Sequence, residues 1–315
     1  MDQFMHAASF VGSAGFYLPL LVLAFWCVNP AAAARAAVTL SVSAMVNVLL
    51  KLSFAEPRPY WTDPAVDALS SESSFGMPSG HAQGSLVAYG YLAYHLGRRW
   101  AWAAAAVVVV LVGVSRVYLG VHSAGQVAAG WAVGAVILVT AVRLGPAAAR
   151  WWRERHVAAL LGVSAAVALG ALGAAAVVVE LGLDGWDMPP AWRSAIIAAG
   201  GSADLLWLER AATSAGMLGG LLGGLSLLAC RGWFAPSPDL RRRAAAVLVG
   251  AAGLLPVLVL WLALPRHVAA GFAVTLLAGL WLAAGAPETF VRLGLAGRPT
   301  PGLPRPGEPA VTSGS

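Results

Sequence analysis

Apolar runs recur along most of this chain, and each is long enough, at about 20 residues, to cross the hydrocarbon core of a bilayer as a helix. The composition agrees, because 59% of the 315 residues are hydrophobic and only 11% are charged, whereas an average soluble domain has about 25% charged residues. Helices satisfy their backbone polar groups within one segment, as lipid demands. The sequence therefore predicts an all-α, polytopic transmembrane helical bundle in an integral multi-pass membrane protein.

The lengths of the apolar runs predict about nine spans. Segment 190–210 is apolar but is interrupted by Asp204, Glu209 and Arg210, so we expect an interfacial helix there. Glycines at four-residue spacing, such as Gly130 and Gly134, predict that helix backbones approach closely. The spans are expected at 10–28, 32–52, 79–96, 101–119, 122–142, 157–181, 211–230, 244–264 and 268–286.

The basic residues are distributed unequally between the two sides of this topology. With residue 1 outside, fourteen arginines fall in the inner connections and the tail, and three lie outside, away from the motifs described below. This asymmetry follows the positive-inside rule, so the net charge of +6 is interpreted as a topology signal, and no nucleic-acid partner is predicted. Cys27 and Cys230 offer neither a disulfide framework nor a cysteine-rich metal site. Richness in Ala, Gly and Arg with a single lysine suggests a bacterial source, and hence the inner membrane.

Three short stretches hold nearly all the polar side chains that this topology places at the outer face. They are KLSFAEPRPYW (51–61), GMPSGHAQGS (76–85) and SRVYLGVHSAGQ (115–126). Because all three lie on one side of the membrane, their side chains can converge. Together they supply three cations, two histidines and one helix start, which is the composition of a phosphate site.

The helix start is predicted at Pro78, since proline is favoured at the first helical position. The amides of Ser79, Gly80 and His81 would then lack intrahelical partners and would form an anion site together with the helix dipole. The glycine would let an oxyanion approach the backbone.

The three cations are Lys51, Arg58 and Arg116. Each guanidinium can hold a phosphoryl group by two parallel hydrogen bonds, and the lysine adds a point charge. Cations close to lipid are costly unless they are paired. No run of carboxylates lies near them in the sequence, so we expect a ligand to supply the anion. The alternative is that the three side chains only extend towards lipid headgroups.

The spacing of these residues resembles the type 2 phosphatidic acid phosphatase superfamily. Lys51–Pro59 matches its lysine, six residues and Arg-Pro, Pro78–His81 matches its Pro-Ser-Gly-His, and Ser115–His122 matches its Ser-Arg, five residues and His. Its last position, an aspartate separated from that histidine by three residues, is Gln126 here. The resemblance covers roughly residues 40–142, and the composition excludes the soluble haloperoxidase relatives.

The resemblance implies a role for each matching residue. His122 would be the nucleophile that takes the phosphoryl group, and His81 the acid that protonates the leaving oxygen. Neither a metal nor another cofactor is expected, because fixed cations would hold the charge. The residues implied to hold the phosphate are Lys51, Arg58, Ser79, Gly80 and Arg116. The residues alone do not say which histidine attacks.

The resemblance also implies a division of the chain. A six-helix phosphatase core would be formed by the N-terminal spans, in residues 1–181. Residues 182–297 would add membrane spans of unknown role, preceded by the interfacial helix. Residues 298–315 are rich in Pro, Gly and Ser and are expected to be disordered.

Gln126 lies where a group could meet the second ring nitrogen of His122. A glutamine carbonyl can accept that N–H and hold the tautomer, but it supplies no charge. Glucose-6-phosphatases and dolichyl diphosphate phosphatases resemble this chain in carrying glutamine there. The likeness to glucose-6-phosphatases extends to RPYW, PSGHAxG and a nine-span layout.

The leading hypothesis is a membrane phosphatase that removes phosphate from a lipid-linked phosphate or diphosphate, through a phosphohistidine, at the outer (extracytoplasmic) face. The alternatives are hydrolysis of a soluble sugar phosphate, a phosphotransferase, a catalytically inactive protein, and a transporter or scaffold. Asn47 and Glu180 stand isolated within spans, which argues against a transporter. The outer loop LGLDGWDMPPAW (181–192) is expected to be a solvated turn, with a substrate lid as the alternative.

Overall fold

A computed structural model of the chain describes residues 1–205, 207–265 and 267–299. These residues are almost entirely helical, as predicted, and form fourteen α-helices. A π-helical turn, Trp281–Gly285, joins the last two helices, and two short strands, β1 (Ala235–Pro236) and β2 (Ala296–Gly297), pair antiparallel. The helices are α1 (Asp2–Val11), α2 (Ala14–Cys27), α3 (Pro30–Phe54), α4 (Pro59–Thr62), α5 (Gly80–Leu96), α6 (Arg99–Tyr118), α7 (Ala124–Arg153), α8 (Val157–Gly182), α9 (Pro190–Ala198), α10 (Trp207–Cys230), α11 (Leu240–Ala252), α12 (Leu255–Ala263), α13 (Val268–Leu280) and α14 (Ala286–Arg292).

Eight helical segments of the described residues are long and apolar enough to cross a membrane. The predicted span at 79–96 corresponds to α5, which has 17 residues and is not among the eight. The multi-pass membrane protein expected from the sequence is therefore confirmed. The eight segments are Asp2–Cys27, Pro30–Thr62, Arg99–Tyr118, Ala124–Arg153, Val157–Gly182, Trp207–Cys230, Leu240–Ala263 and Val268–Arg292.

The interfacial helix expected over 190–210 is wrong in extent. Only Pro190–Ala198 is helical, and the chain leaves the helix at Gly200, which has φ +74°. Glycine adopts this left-handed conformation without steric cost and commonly ends helices. Residues from Trp207 onward belong to the transmembrane helix α10.

The chain divides into two compact units. The first contains Met1–Leu18, Thr39–Pro146 and Gly170–Ala212. In it α5 packs against α6, α1 also packs against α6, and α4 packs against α9. All three motifs of the sequence lie in this unit.

The second unit contains Pro19–Val38, Ala147–Leu169 and the chain from Thr213 onward. Its core includes Trp26 and Phe290, whose rings meet edge to face with centroids 5.5 Å apart. Arg298 pairs with Glu288 at 2.6 Å beside β2. Most of the tail predicted to be disordered, residues 300–315, lies outside the described residues.

The approach of α7 to α5 depends on glycine, as the four-residue spacing predicted. A Cβ atom at Gly130 would lie 2.6 Å from the carbonyl oxygen of Ser79, and one at Gly134 would lie 2.9 Å from that of Gln83. Both distances are too short for any side chain. The two glycines therefore let α7 lie directly against the first turns of α5, where one motif begins.

Candidate active site

The three sequence motifs come together in the first unit. Lys51 lies in the last turn of α3, Arg116 in the last turn of α6, and His122 in the connection between α6 and α7. His81 and His122 both interact electrostatically with Lys51, Arg58 and Arg116. The two histidines therefore share one set of cations, as the convergence of the motifs required.

Arg58 is the most enclosed of these cations, with 1% of its surface exposed. Its Nε donates to the carbonyl of Ser74 at 2.7 Å, and its Nη2 donates to the Ser74 hydroxyl at 3.1 Å. Its Nη1 donates to the carbonyl of Val121 at 2.8 Å and to Nε2 of His122 at 3.0 Å. Arg58 thus fixes the loop before α5 and touches the ring of His122.

The imidazole of His122 is held at both nitrogens. Gln126 meets Nδ1 with its Oε1 at 3.1 Å, so the predicted contact between these residues is present. Oε1 also accepts the amide N–H of Ser123, which identifies it as the carbonyl oxygen. Because Oε1 accepts and Arg58 donates, the proton of the neutral ring lies on Nδ1, and Nε2 carries the lone pair. Nε2 is thus the basic nitrogen of the ring, and its lone pair accepts the hydrogen bond from Arg58.

The surroundings of His122 keep its ring neutral. Burial lowers its pKa well below the usual value, and the nearby cations Arg58, Lys51 and Arg116 lower it further. The ring is 2% exposed. A neutral imidazole with a fixed tautomer is the form that a nucleophile needs.

Arg116 forms an ion pair within the site. Its Nη2 donates to Oε1 of Glu72, and its Nη1 donates to the hydroxyl of Ser9 at 2.6 Å. Its Nε is buried and has no partner among the described residues. The expectation that only a ligand would supply the anion was therefore wrong, because Glu72 already supplies one carboxylate.

Glu72 lies among the cations of the site. Burial raises the pKa of its carboxyl, but Arg58 and Arg116 outweigh burial, and the pKa falls to about 2. His81 and Lys51 contribute in the same direction. Glu72 is therefore ionised in the physiological range and offers a negative charge where a phosphate would also be attracted.

Lys51 is directed at the loop that carries these groups. Its Nζ donates to the carbonyl of Phe75, the same oxygen that accepts a longer bond, at 3.4 Å, from Arg58 Nη2. Phe75 is 1% exposed. Two of the predicted phosphate-binding cations thus donate to the same loop carbonyl, that of Phe75, and lie close together.

The start of α5 differs from the prediction. The helix begins at Gly80 with Ser79 as its N-cap, so Pro78 precedes the cap instead of occupying the first helical position. The Ser79 hydroxyl accepts the amide of Ala82 at 3.4 Å, and the Ser79 amide donates to the carbonyl of Gln126. Serine is a good cap because its side chain satisfies an orphan amide. The amides of Gly80 and His81 then occupy the first two helical positions, which have no intrahelical acceptor.

Asn47 positions this helix start. The sequence suggested that Asn47 is isolated within its span, but its side chain has two partners. Its Nδ2 donates to the carbonyl of Pro78 at 3.2 Å and to Oε1 of Gln83 at 2.9 Å. Gln83 in turn donates to the carbonyl and hydroxyl oxygens of Ser43. A Cβ at Gly80 would lie 3.1 Å from Oδ1 of Asn47, so this glycine makes room for α3.

Segment 181–192, which the sequence predicts to be a solvated turn, makes ring contacts with the rest of the unit. Its Trp186 meets Phe75 edge to face with ring centroids 5.7 Å apart, and Trp207 stacks on the same ring at 5.9 Å. Trp192 packs against Trp61 at 5.8 Å. These five rings, Trp61, Phe75, Trp186, Trp192 and Trp207, form an aromatic cluster over the loop that binds Lys51 and Arg58.

Sequence reasoning missed Glu72, Asn47 and Ser9. Asn47 carried a signal, because a polar side chain within a span is expensive and usually has a partner. Glu72 and Ser9 carried none, since one lies in an irregular loop and the other in an ordinary amphipathic stretch. No three His, Cys, Asp or Glu side chains of the described residues are grouped closely enough to hold a metal ion.

Comparison with family models gives two matches. Residues 32–150 match the PAP2 superfamily, and residues 212–298 match the transmembrane extension of PAP2 superfamily phosphatases. The first match contains every motif residue named above, and the second covers spans to which the motifs assign no role.

Three characterised relatives are similar to this chain. Phosphatidylglycerophosphatase B of Bacillus subtilis is 29% identical over 150 residues, which cover 44% of this chain and 71% of the relative. Lipid phosphate phosphatase delta of Arabidopsis thaliana is 27% identical over 44% of this chain and 37% of its own length. Undecaprenyl-diphosphatase of Sulfolobus acidocaldarius is 32% identical over 34% of this chain and 54% of its own length. This chain thus spans less than two thirds of the last two relatives.

One solved structure is also similar. The crystal structure of a PAP2-type phosphatidylglycerolphosphate phosphatase from Bacillus subtilis has 27% identity to this chain and a TM-score of 0.41, over 46% of this chain and 76% of that one. Both family matches and the relatives agree with the superfamily that the motifs resemble. The chain belongs to the PAP2 superfamily and is a membrane phosphatase.

Proposed function

We propose that this phosphatase hydrolyses a lipid-linked phosphate or diphosphate through a phosphohistidine intermediate on His122, without a metal ion, at the outer face of the membrane. The observation that most supports the proposal is the ring of His122, which is neutral, fixed at Nδ1 by Gln126 and directed with Nε2 towards Arg58. A nucleophile next to fixed cations suits phosphoryl transfer, where catalysis is mainly positioning and charge stabilisation.

In the first step, Nε2 of His122 attacks phosphorus. A P–N bond forms while the P–O bond to the lipid or to its remaining phosphate breaks, and the leaving oxygen takes a proton from His81. Lys51, Arg58 and Arg116 stabilise the charge on the phosphoryl oxygens in the transition state. Nδ1 of His122 keeps its proton, which remains hydrogen-bonded to Gln126. The ring therefore becomes a cation when Nε2 is phosphorylated.

In the second step, water attacks the phosphorus of phosphohistidine. His81, now neutral, takes a proton from that water, the P–N bond breaks, and inorganic phosphate leaves. His81 is then ready to act as an acid again. His81 thus gives up one proton and regains one in each cycle, which requires it to face the same phosphoryl group as His122.

Glu72 and Arg116 suggest how the phosphate enters. Arg116 has one buried N–H that meets no acceptor in the described part of the chain, and it forms one pair with a carboxylate. A phosphoryl group has more oxygens and more charge than that carboxylate, so it would compete for the same guanidinium. Binding would then exchange an internal anion for the substrate.

A lipid substrate is favoured by what the relatives are named for. They are a phosphatidylglycerophosphatase, a lipid phosphate phosphatase and an undecaprenyl-diphosphatase. The site also lies at the ends of α3 and α6, helices that form parts of membrane-spanning segments. A substrate headgroup at the bilayer surface would meet these helix ends directly.

A substrate panel tests the proposal. The purified full chain in detergent micelles is assayed for phosphate release from phosphatidylglycerophosphate, undecaprenyl diphosphate, phosphatidic acid and glucose 6-phosphate, with excess chelator. We expect release from at least one lipid, inhibition by orthovanadate, and loss of both turnover and phosphate labelling of the protein in His122→Ala. Preference for glucose 6-phosphate would favour the sugar-phosphate alternative, and a strict magnesium requirement would contradict the metal-free mechanism.

A further inference from the structure

Gln126 makes a second charged contact on the side away from His122. Its Nε2 donates to Oε1 of Glu56 at 2.8 Å and to the carbonyl of Pro57 at 2.9 Å. Its Oε1 accepts from Ser123 and from Nδ1 of His122. Both amide protons and the carbonyl oxygen are thus engaged, so a flipped amide would set oxygen against oxygen at Glu56 and Pro57.

The space around this amide is closed. Gln126 is 1% exposed, and Glu56 is half-buried. A Cβ at Gly76 would lie 2.7 Å from both Cδ and Oε1 of Gln126, and the amide of Gly76 donates to the backbone carbonyl of Glu56 at 2.7 Å. The loop that carries Gly76 therefore packs directly against the side chain of Gln126 and holds its amide between Glu56 and His122.

Glu56 forms no ion pair within residues 1–205, 207–265 and 267–299. Its carboxylate is directed at the Gln126 amide instead. Hydrogen bonds in such a chain polarise one another, and a charge at one end strengthens the acceptor at the other. Negative charge on Glu56 makes Oε1 of Gln126 a better acceptor for the Nδ1–H of His122.

We propose that Glu56 is a positioning residue of the phosphatase, which acts through Gln126 to orient His122 and to supply the negative charge that an aspartate at position 126 would supply directly. This inference rests on the proposed role of His122 as nucleophile. The ring gains positive charge when Nε2 bonds to phosphorus, and the Glu56 carboxylate stabilises that charge across the amide. In this arrangement the glutamine does not weaken the site. The negative charge is still present, but it lies on Glu56, one side chain further from His122 than an aspartate at position 126 would be.

Two glutamate-to-glutamine substitutions provide the first test. Glu56→Gln keeps the shape and an acceptor oxygen but removes the charge, and we expect kcat to fall roughly tenfold with KM unchanged. Glu56→Asp, which keeps the charge, should recover part of that loss. Glu180→Gln is the matched control, since Glu180 is exposed on α8, and it should retain parental kcat. Unchanged kcat in a folded Glu56→Gln protein would overturn the proposal.

The second test reverses the sign of the effect. Gln126→Asp sets a second carboxylate against Glu56 and removes the two N–H donors, so we expect lower activity than in the parent. Adding Glu56→Gln restores a donor between the two groups and should raise kcat in that background, although it lowers kcat in the parent. A purely structural role for Glu56 predicts losses of the same sign in both backgrounds, and that result would refute the charge relay.

The pH dependence of kcat is a further readout. The charged groups that act on His122 are the cations Arg58, Lys51 and Arg116. Glu56 acts on the ring from the opposite side, through its hydrogen bond to Gln126. Removing the Glu56 charge makes protonation of His122 harder, so the acid limb of the profile should move to lower pH. An acid limb that stays in place in Glu56→Gln would count against the proposal.

A spectroscopic measurement separates this inference from the proposed function. In protein labelled with [¹⁵N]histidine, the His122 signals are identified by their loss in His122→Asn. We expect the parent ring to carry its proton on Nδ1, and Glu56→Gln to shift the Nδ1–H resonance upfield while Glu180→Gln leaves it unchanged. This shift without any phosphate hydrolysis would refute the proposed function alone, whereas hydrolysis without the shift would refute the role of Glu56 alone.

Discussion

Glu72 contributes negative charge to the site although it lies outside the three motifs. Its carboxylate pairs with Arg116 and interacts with Arg58, Lys51 and His81. Three buried cations without such a partner would repel one another and would be costly near lipid. The folded chain therefore carries its own anion, which stabilises the cluster of cations.

Glu72→Gln should show this contribution as a pH-dependent loss of stability. The pKa of Glu72 is lowered from 4.5 to about 2 in the folded protein, so its stabilising effect is complete above pH 4.5 and is lost as the pH falls through the folded value. We expect a lower Tm for the variant at pH 7 and a difference that narrows as the pH falls from 4.5 towards 2. Thermal unfolding in detergent, measured at a series of pH values for both proteins, checks this.

The same variant should also bind anions better. With the competing carboxylate neutralised, Arg116 is free to pair with inorganic phosphate, so product inhibition should become stronger. A Tm difference that is constant with pH, or phosphate inhibition weaker than in the parent, would show that Glu72 does not act as an internal anion.

The contrast between predicted and missed residues has a physical cause. Lys51, Arg58 and His122 are recognisable because phosphate chemistry needs those side chains at a fixed spacing along the chain. Glu72 and Glu56 act only through contacts made after folding, with Arg116 and Gln126, which lie 44 and 70 positions away. Spacing in the sequence contains no information about such contacts.

Among the elements, the contact of α7 with α5 most directly sets the site. Gly130→Ala would place a methyl group against the backbone carbonyl of Ser79, the N-cap that precedes His81. Overpacking of this kind typically costs about 1–3 kcal/mol, and it would also displace the helix start. We expect a lower Tm and a lower kcat, measured by thermal unfolding and by phosphate release.

Gly145→Ala is the matched control on the same helix. A Cβ there meets no atom within 4 Å, and alanine has the higher helix propensity. Its Tm should therefore equal or exceed that of the parent, with kcat unchanged. If both variants behave alike, the close approach at Gly130 is not what positions α5.

The aromatic cluster links a second set of elements, since its rings come from α4, the loop before α5, the loop before α9, α9 itself and the start of α10. Trp207→Ala removes the ring that stacks on Phe75, whose carbonyl accepts bonds from Lys51 and Arg58. Loss of a packed tryptophan costs about 3 kcal/mol or more, so we expect a lower Tm and a raised KM. Trp102→Ala, on a side chain of α6 that is 45% exposed, should change neither.

The outcome for this region also shows where sequence reasoning ends. The nine-residue helix α9 and the loop 181–192 contain Asp, Gly and Pro at positions typical of solvated turns, and that composition led to the wrong expectation. Trp186 and Trp207 meet Phe75, and Trp192 meets Trp61, only because the fold brings together segments that are more than 100 residues apart in the chain. Apolar length, by contrast, predicted the spans well, because lipid imposes it on each helix separately.

For the whole molecule, the family matches and the structure divide the chain in related ways. The PAP2 match at 32–150 contains the motifs, and the residues that form the site lie in the first unit. The transmembrane extension matched at 212–298 falls almost entirely in the second unit, which has an aromatic and alanine-rich core of its own. The groups proposed to be catalytic thus come from one unit, and the orientation of that unit in the membrane would decide which side receives substrate.

Cysteine labelling in intact cells tests this orientation. The distribution of arginines places the connection between α4 and α5 outside and the connection between α7 and α8 inside. With Cys27 and Cys230 replaced by serine, single cysteines are introduced as Asp67→Cys and Glu154→Cys, two exposed positions in those connections. A membrane-impermeant maleimide should label Asp67→Cys in intact cells and Glu154→Cys only after permeabilisation, because the bilayer shields the inner side. The reverse pattern would place the site at the inner face, and a substrate delivered to the outer leaflet could not then reach His122.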